Sequence, residues 1–275
     1  MSRLRDLFHR AKWLEYQPSP QLMEEAAVGL RDTARVTELP TEEVLLPSES
    51  RLVYHTDPRS RAADQFRLLR MHLYELSTTR KVKKLLITSP LAGDGKSTIA
   101  MNLGTALSER GKRTVLVLEA DFHHSSLTDD LGLHPGPGLA QCLEDGLNPI
   151  RALRHLKPLG WYLLPAGRVS GDPTELLRTE MIRVVIAQLN DVFDWILIDC
   201  PPVLPVTDSL SLKELSDAGL LIARAGRTSQ EAIEKALALL GKQYVLGIVL
   251  NGSEGRDRVH GEYQYSRYHP GEART

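Results

Sequence analysis

A loop suited to holding phosphate lies between an apolar run and a segment with helical spacing. Residues 87–98 read Ile-Thr-Ser-Pro-Leu-Ala-Gly-Asp-Gly-Lys-Ser-Thr. Its glycines allow tight turns that bring backbone N–H groups close to phosphate oxygens. Lys96 can reach the β- and γ-phosphates of a nucleotide, and the Ser97 hydroxyl can face Mg²⁺. We therefore predict a triphosphate site formed by Gly93, Asp94, Gly95, Lys96, Ser97 and Thr98.

The loop departs from the general phosphate-binding pattern at one position. That pattern has glycine five residues before Gly95, and this chain has Pro90 there. An ordinary strand-to-helix turn is the alternative interpretation. The apolar run before the loop, residues 85–87, and the apolar-periodic segment after it, residues 99–107, favour the nucleotide loop, because the motif requires a strand and a helix in that order.

An aspartate at the end of another apolar run is the best candidate for a metal ligand. Asp199 ends the run Trp195-Ile-Leu-Ile-Asp and is followed by Cys-Pro-Pro. Burying a carboxylate is costly unless it binds something, and the prolines end strand pairing. We predict that Asp199 binds Mg²⁺; the alternative is a loop carboxylate that caps the next element.

Two further carboxylates follow the apolar run at residues 115–118. Glu119 and Asp121 are separated by one residue, so on an extended backbone their side chains point the same way. Both could face one phosphate–metal centre, although two solvated loop acids fit the sequence equally well. The predicted metal ligands are thus Ser97, Glu119, Asp121 and Asp199.

Composition excludes several classes of protein. The chain has 275 residues, of which 42% are hydrophobic and 25% charged, as is ordinary for soluble globular proteins. A net charge of −1 gives no electrostatic case for a nucleic-acid partner. Two distant cysteines argue against a disulfide framework or zinc site and fit a reducing cytoplasm. Residues 1–10 are basic but lack the apolar core of a signal peptide, so a cytoplasmic location is expected.

The order of the segments predicts three regions. Residues 1–60 are expected to form a short amphipathic helix and a mobile linker, residues 61–251 a folded domain, and residues 252–275 a disordered tail. Alternating elements in the domain predict an α/β fold with a doubly wound, mostly parallel sheet. Strands are predicted at 84–89, 114–119, 161–165, 195–199, 218–223 and 244–250, and helices at 61–79, 97–110, 174–190, 209–215 and 229–241.

Taken together, these motifs resemble the bacterial tyrosine kinases (BY-kinases) of capsule and exopolysaccharide biosynthesis. The likeness covers roughly residues 57–268 and consists of several ordered motifs. They are the loop 89–98, the Glu119-x-Asp121 pair, Asp199-Cys-Pro-Pro, Asp208, residues 217–228, residues 246–251, and the stretch Asp64-Gln-Phe-Arg67-Leu-Leu-Arg70.

The resemblance implies an ATP- and Mg²⁺-dependent autokinase with Lys96, Asp121 and Asp199 as catalytic residues. Lys96 would hold the phosphates, Asp199 the Mg²⁺, and Asp121 would activate the tyrosine hydroxyl or complete the metal site. Asn251 would contact the nucleotide base. The phosphoacceptors would be three tail tyrosines, modified by a neighbouring subunit: Tyr263, Tyr265 and Tyr268.

The resemblance also implies two kinds of partner. Asp64, Arg67 and Arg70 would belong to an oligomerisation helix that builds a ring of identical subunits. A membrane-bound regulator of polysaccharide chain length would act as activator and hold the protein at the inner face of the membrane.

Two alternatives stay open at the level of sequence. Glu119 stands where the family usually has Asp, and His123 where it usually has Arg, as in a catalytically weak or inactive nucleotide-binding subunit. A partitioning-type ATPase is the other alternative. Its loop carries an extra lysine four residues before the last glycine, and here that position is Leu91.

Overall fold

The computed structural model describes Leu39, residues 41–46 and residues 50–253. The helix predicted within residues 1–16 and the tail tyrosines Tyr263, Tyr265 and Tyr268 lie outside the described residues. Within that part of the chain, no helix is both long enough and apolar enough to cross a membrane.

One eight-stranded sheet organises the domain, with the strand order β1-β4-β5-β3-β6-β2-β7-β8. The strands are β1 Thr41–Glu43, β2 Lys84–Thr88, β3 Val115–Glu119, β4 Arg154–Lys157, β5 Trp161–Leu164, β6 Trp195–Asp199, β7 Ala218–Arg224 and β8 Val245–Asn251. All neighbours pair in parallel except β4 and β5, which are antiparallel. The predicted doubly wound, mostly parallel sheet is confirmed.

Helices cover both faces of the sheet. They are α1 Val53–Thr56, α2 Arg61–Arg80, α3 Lys96–Ser108, α4 Leu127–Asp130, α5 Leu139–Glu144, α6 Pro149–Ala152, α7 Pro173–Leu176, α8 Glu180–Asn190, α9 Asp208–Lys213 and α10 Gln230–Leu240. Successive residues of β2 enter opposite layers: Leu85 and Ile87 pack with α2 and α3, and Leu86 packs with α5 and α8. This alternation explains why the central strands read as continuous apolar runs.

Two short strands fall outside the sequence prediction. β1 and β4 have three and four residues and are rich in charge, so neither shows the apolar run that identifies a buried strand. β1 forms the edge of the sheet by pairing with β4.

Residues before position 61 also contact the folded domain. Leu52 is only 2% exposed, and the Asn102 side chain accepts a hydrogen bond from Tyr54 N (3.0 Å) and donates one to Arg51 O (2.9 Å). The segment around Leu52, predicted to be part of a mobile linker, therefore contacts the domain, and β1 does so by pairing with β4.

The helix predicted over 174–190 is two helices. Thr179 has an extended backbone, with ψ at 152°, and precedes α8 as its N-cap residue. α7 has already ended at Leu176. Between the two helices, the Arg178 guanidinium donates a hydrogen bond to Oγ1 of Thr207, the N-cap residue of α9 (3.2 Å).

Candidate functional site

The glycine-rich loop connects the end of β2 to the start of α3, as predicted. Gly95 has φ of 93° and is the N-cap residue of α3. A Cβ atom at this position would lie 2.1 Å from Asn251 Nδ2. Backbone conformation and space therefore both require glycine there. The helix N-terminus directs its free N–H groups to the loop, which favours a bound anion.

Four of the predicted side chains meet at this end of the sheet. Lys96 Nζ lies 2.8 Å from Asp121 Oδ2, and the Ser97 hydroxyl lies beside the Asp199 carboxylate. Lys96, Asp121 and Asp199 are buried. β6 lies between β2 and β3 and pairs in parallel with both, so the carboxyl ends of the three strands lie side by side. This explains why residues so distant in sequence are close together.

The charges of this cluster influence one another. Burial by itself lowers the pKa of Lys96, but the negative charges of Asp199 and Asp121 outweigh it, so the pKa is raised. Burial raises the pKa of Asp199 to about 7, although the Lys96 charge and the Ser97 hydrogen bond oppose that shift. Lys96 is thus a buried, permanently charged cation beside two carboxylates, and a polyphosphate would compete with Asp121 for it.

The donor set fits Mg²⁺ bound together with a phosphate. Asp199 Oδ1 is buried with no hydrogen-bond partner among the described residues, and the Ser97 hydroxyl lies beside the same carboxylate. No group of three His, Cys, Asp or Glu side chains in the described ranges could hold a metal by itself. Mg²⁺ commonly takes one or two carboxylates plus phosphate oxygens and water, which this arrangement can supply.

Glu119, predicted as a metal ligand, makes hydrogen bonds to two backbone amides. Its Oε1 accepts a hydrogen bond from Leu127 N (2.8 Å), and its Oε2 accepts one from Ala166 N (2.9 Å). The side chain is 1% exposed, and burial raises its pKa while the amide donors oppose that shift. Both oxygens are occupied by backbone amides, so the carboxylate fixes the start of α4 and the segment after β5.

Hydrogen bonds of Asp94 and Asn251 stabilise the phosphate loop. Asp94 is fully buried; its carboxylate accepts hydrogen bonds from Thr228 Oγ1 (2.8 Å) and Leu91 N (3.2 Å). Asn251 Nδ2 donates to Asp94 O (2.9 Å). Asp94 therefore stabilises the conformation of the loop through its carboxylate. The amide nitrogen of Asn251, which was predicted to contact the base, donates instead to the loop backbone.

Two arginines that the sequence marks only as part of the motif at residues 217–228 also contact the loop. Arg224 Nη1 lies 3.3 Å and Arg227 Nη1 3.4 Å from the same acceptor, Gly93 O, and Arg227 Nη2 lies 3.3 Å from Ala92 O. Both side chains belong to the end of β7 and the turn that follows it. The carboxyl ends of parallel strands share one edge of the sheet. The position of this turn after β7 could therefore have predicted that its side chains lie near the phosphate loop.

His123 stands next to the cluster and is held by a second carboxylate. Its Nε2 lies 2.9 Å from Asp208 Oδ2, and Asp208 is 1% exposed at the start of α9. The pair links the loop after β3 to the helix after β6. His123, two residues after Asp121 in the chain, is therefore anchored to α9.

The predicted oligomerisation residues of α2 make contacts within the same chain. Arg67 pairs with Asp64 (2.6 Å) and donates to Pro58 O (2.6 Å), and Arg70 Nη1 donates to Ala106 O (3.1 Å). These bonds connect α2 to the preceding turn and to α3.

Comparison with known proteins places this geometry in a family. A family model described as "ParA: NUBPL iron-transfer P-loop NTPase" matches residues 81–265. The tyrosine-protein kinase CpsD of Streptococcus agalactiae is 30% identical over 188 residues, 66% of this chain and 80% of that protein. The chain belongs to the bacterial tyrosine kinases, within the P-loop NTPases. The tyrosine-protein kinase YwqD of Bacillus subtilis is 29% identical to this BY-kinase over 212 residues, 76% of this chain and 88% of YwqD.

A solved structure and a longer relative complete the comparison. The kinase domain of Escherichia coli tyrosine kinase ETK superposes with a TM-score of 0.72 at 22% identity, covering 83% of this chain and 88% of that one. At this identity the likeness shows the fold alone. The succinoglycan biosynthesis transport protein ExoP of Rhizobium meliloti is 29% identical over 202 residues, 72% of this chain but only 26% of ExoP. The chain thus spans about a quarter of that relative's length.

Proposed function

We propose that this BY-kinase is an ATP- and Mg²⁺-dependent tyrosine autokinase that regulates polysaccharide biosynthesis or export. The observation that carries the proposal is the buried meeting of Lys96, Ser97, Asp121 and Asp199 beside a phosphate loop. The family membership agrees with this chemistry. The names of its relatives, among them a succinoglycan biosynthesis transport protein, support the polysaccharide context.

Phosphoryl transfer requires positioning and charge stabilisation more than covalent chemistry from the protein. Lys96 neutralises charge on the β- and γ-phosphates. Asp199 and Ser97 would hold Mg²⁺, which would supply further positive charge to the phosphates. Asp121 orients the tyrosine hydroxyl and accepts its proton. The tyrosine oxygen then forms a bond to the γ-phosphorus as the bond to the β-phosphate bridging oxygen breaks and ADP leaves. A hydroxyl with a pKa near 10 needs such a base.

The phosphoacceptors we propose are Tyr263, Tyr265 and Tyr268, presented by a neighbouring subunit of a ring-like homo-oligomer. α2 supports that assembly with an exposed apolar surface, because Leu68 and Met71 are 45% and 59% exposed beside Arg67 and Arg70. A membrane-bound regulator of polysaccharide chain length is the proposed activator. Through it the kinase would lie at the inner face of the membrane.

The partitioning-type ATPase is disfavoured by one position in the loop. Those enzymes use a lysine four residues before the last glycine, and this chain has the partly exposed Leu91 there. Leucine cannot stabilise phosphate charge across a dimer.

The experiment compares wild type with Lys96→Met after incubation with ATP, Mg²⁺ and the membrane activator. The control is Lys235→Met, which removes an exposed lysine paired with Glu231 in α10 (2.7 Å). We expect phosphotyrosine in the tail of wild type and control and none in Lys96→Met, because that variant lacks the cation facing the phosphates. Nucleotide binding without tyrosine transfer in wild type would contradict the kinase assignment and support an inactive regulatory subunit.

A further inference from the structure

Two positively charged side chains converge on one neutral acceptor at the outer edge of the phosphate loop. The guanidinium groups of Arg224 and Arg227 both reach Gly93 O, at 3.3 and 3.4 Å, and both side chains are exposed. Among the described residues neither pairs with a carboxylate. The nearest acid in the loop, Asp94, is fully buried and bonded to Thr228 and Leu91.

A carbonyl oxygen cannot neutralise two cations, so this pair retains its capacity for an anion. The planar fork of arginine matches the geometry of phosphate oxygens and binds them in a bidentate manner. Two adjacent guanidinium groups repel each other, and a dianion placed between them would convert that repulsion into attraction.

The C-terminal tail begins beside this pair. Arg224 is in register with Asn251, and Ala225 N donates to Asn251 O (2.8 Å). A Cβ atom on Gly252 would lie 3.9 Å from the Cγ and Nε atoms of Arg224. The eleven positions from Gly252 to Tyr263 span roughly 36–40 Å when extended, more than enough to turn back to the arginines.

The charge of the tail decides when it would bind. Residues 254–275 carry no net charge, because four acidic side chains balance four basic ones: Glu254, Asp257, Glu262 and Glu272 against Arg256, Arg258, Arg267 and Arg274. An unmodified tail therefore has no net attraction to the arginine pair. Phosphorylation of one tyrosine adds about two negative charges and three strong acceptor oxygens.

We infer that Arg224 and Arg227 form a phosphotyrosine-binding site that receives the phosphorylated tail of the same subunit. The inference rests on the proposed function, because it takes the product of autophosphorylation as its ligand. It adds a binding site for that product at the edge of the phosphate loop, where the tail leaves the domain.

The test uses synthetic peptides of residues 259–275, so its outcome does not depend on kinase activity. Each peptide carries phosphate on Tyr263, Tyr265 or Tyr268, and a fourth is unmodified. The protein is the full chain with Tyr263→Phe, Tyr265→Phe and Tyr268→Phe, which keeps its own tail unphosphorylated. Binding is followed by fluorescence anisotropy at low salt. We expect at least one phosphopeptide to bind about tenfold or more tightly than the unmodified peptide.

Variants then locate the site. The double change Arg224→Gln and Arg227→Gln should remove that preference, and the control double change Arg151→Gln and Arg183→Gln, which alters the net charge equally at two exposed positions, should keep it. Arg227→Lys retains the charge without the fork and should bind with intermediate affinity, which separates loss of the site from loss of the fold.

Three results would overturn the inference. The first is equal affinity for modified and unmodified peptides. The second is phosphopeptide binding that survives in the double glutamine variant, with its thermal midpoint unchanged. The third is binding that Lys96→Met abolishes or that an equal concentration of inorganic phosphate displaces, because the peptide would then occupy the nucleotide site or a general phosphate site. Retention in Lys96→Met supports a separate site. A failed kinase assay with intact phosphopeptide binding would contradict only the proposed function.

Discussion

The contact between Gly95 and Asn251 allows a quantitative test of how the phosphate loop is held. In Gly95→Ala the new methyl group meets two obstacles: a φ of 93°, and Asn251 Nδ2 at 2.1 Å. The left-handed conformation costs about 1–2 kcal/mol for a residue with a Cβ. Displacing Asn251 also breaks its hydrogen bond to Asp94 O, which contributes about 0.5–1.5 kcal/mol. The variant should lose about 1.5–3.5 kcal/mol of stability and bind MgADP more weakly.

A double-mutant cycle separates the two costs. In an Asn251→Ala background only the conformational cost remains, so Gly95→Ala should cost about 1–2 kcal/mol, a coupling of about 1 kcal/mol. Gly146→Ala is the matched control, because its φ is 68° and a Cβ there meets nothing within 4 Å. Its cost should be the same in both backgrounds. Urea unfolding and calorimetry with MgADP measure both quantities, and a coupling below about 0.3 kcal/mol would refute the reasoning.

Two further changes probe the buried carboxylates around the loop. The folded-state pKa of Asp199 is about 7, above the unfolded value of about 3.9, so the native nucleotide-free protein holds that proton more tightly and loses stability as pH rises from about 4 to 7. The free energy of unfolding of Asp199→Asn lacks this pH dependence, so between about pH 4 and pH 8 it should rise relative to that of wild type by up to about 4 kcal/mol. Urea titrations at several pH values measure this, and a difference that stays constant with pH would contradict the reasoning. Thr228→Val leaves Asp94 Oδ1 without its donor and should cost about 1–3 kcal/mol and weaken MgADP binding. Ser229→Ala removes only the N-cap hydrogen bond to Ala232 N, at a cost of about 1 kcal/mol, and should leave nucleotide affinity unchanged.

The apolar runs made the centre of the fold predictable. β2, β3 and β6 are buried on both faces, so their residues differ from those of neighbouring loops, and the predicted bounds agree with the observed ones to within one residue. The phosphate loop was predictable for a related reason, since its motif includes the strand and the helix that orient it. With these elements placed, Lys96, Asp121 and Asp199 meet as expected.

What the sequence could not show depends on contacts between distant segments. Glu119 has the residue type and position of a metal ligand, and only the places of Leu127 N and Ala166 N show that its oxygens are occupied. Arg224 and Arg227 belong to no phosphate motif, and their contact with Gly93 depends on how β7 lies beside β2. β1 and β4 are too short and too charged to be distinguished from loops.

The strand order places the first and last strands of the sheet at opposite edges. β1 and β8 occupy opposite edges of the sheet, with seven steps of about 4.8 Å between them, so the first and last strands lie roughly 34 Å apart. The residues before β1 and those after β8 are therefore attached at opposite sides of the molecule. If subunits were placed edge to edge with β8 of one facing β1 of the next, every tail would start at an interface between two subunits. Each subunit would then present its tail tyrosines to the neighbour whose β1 it faces, and not to the neighbour on its other side.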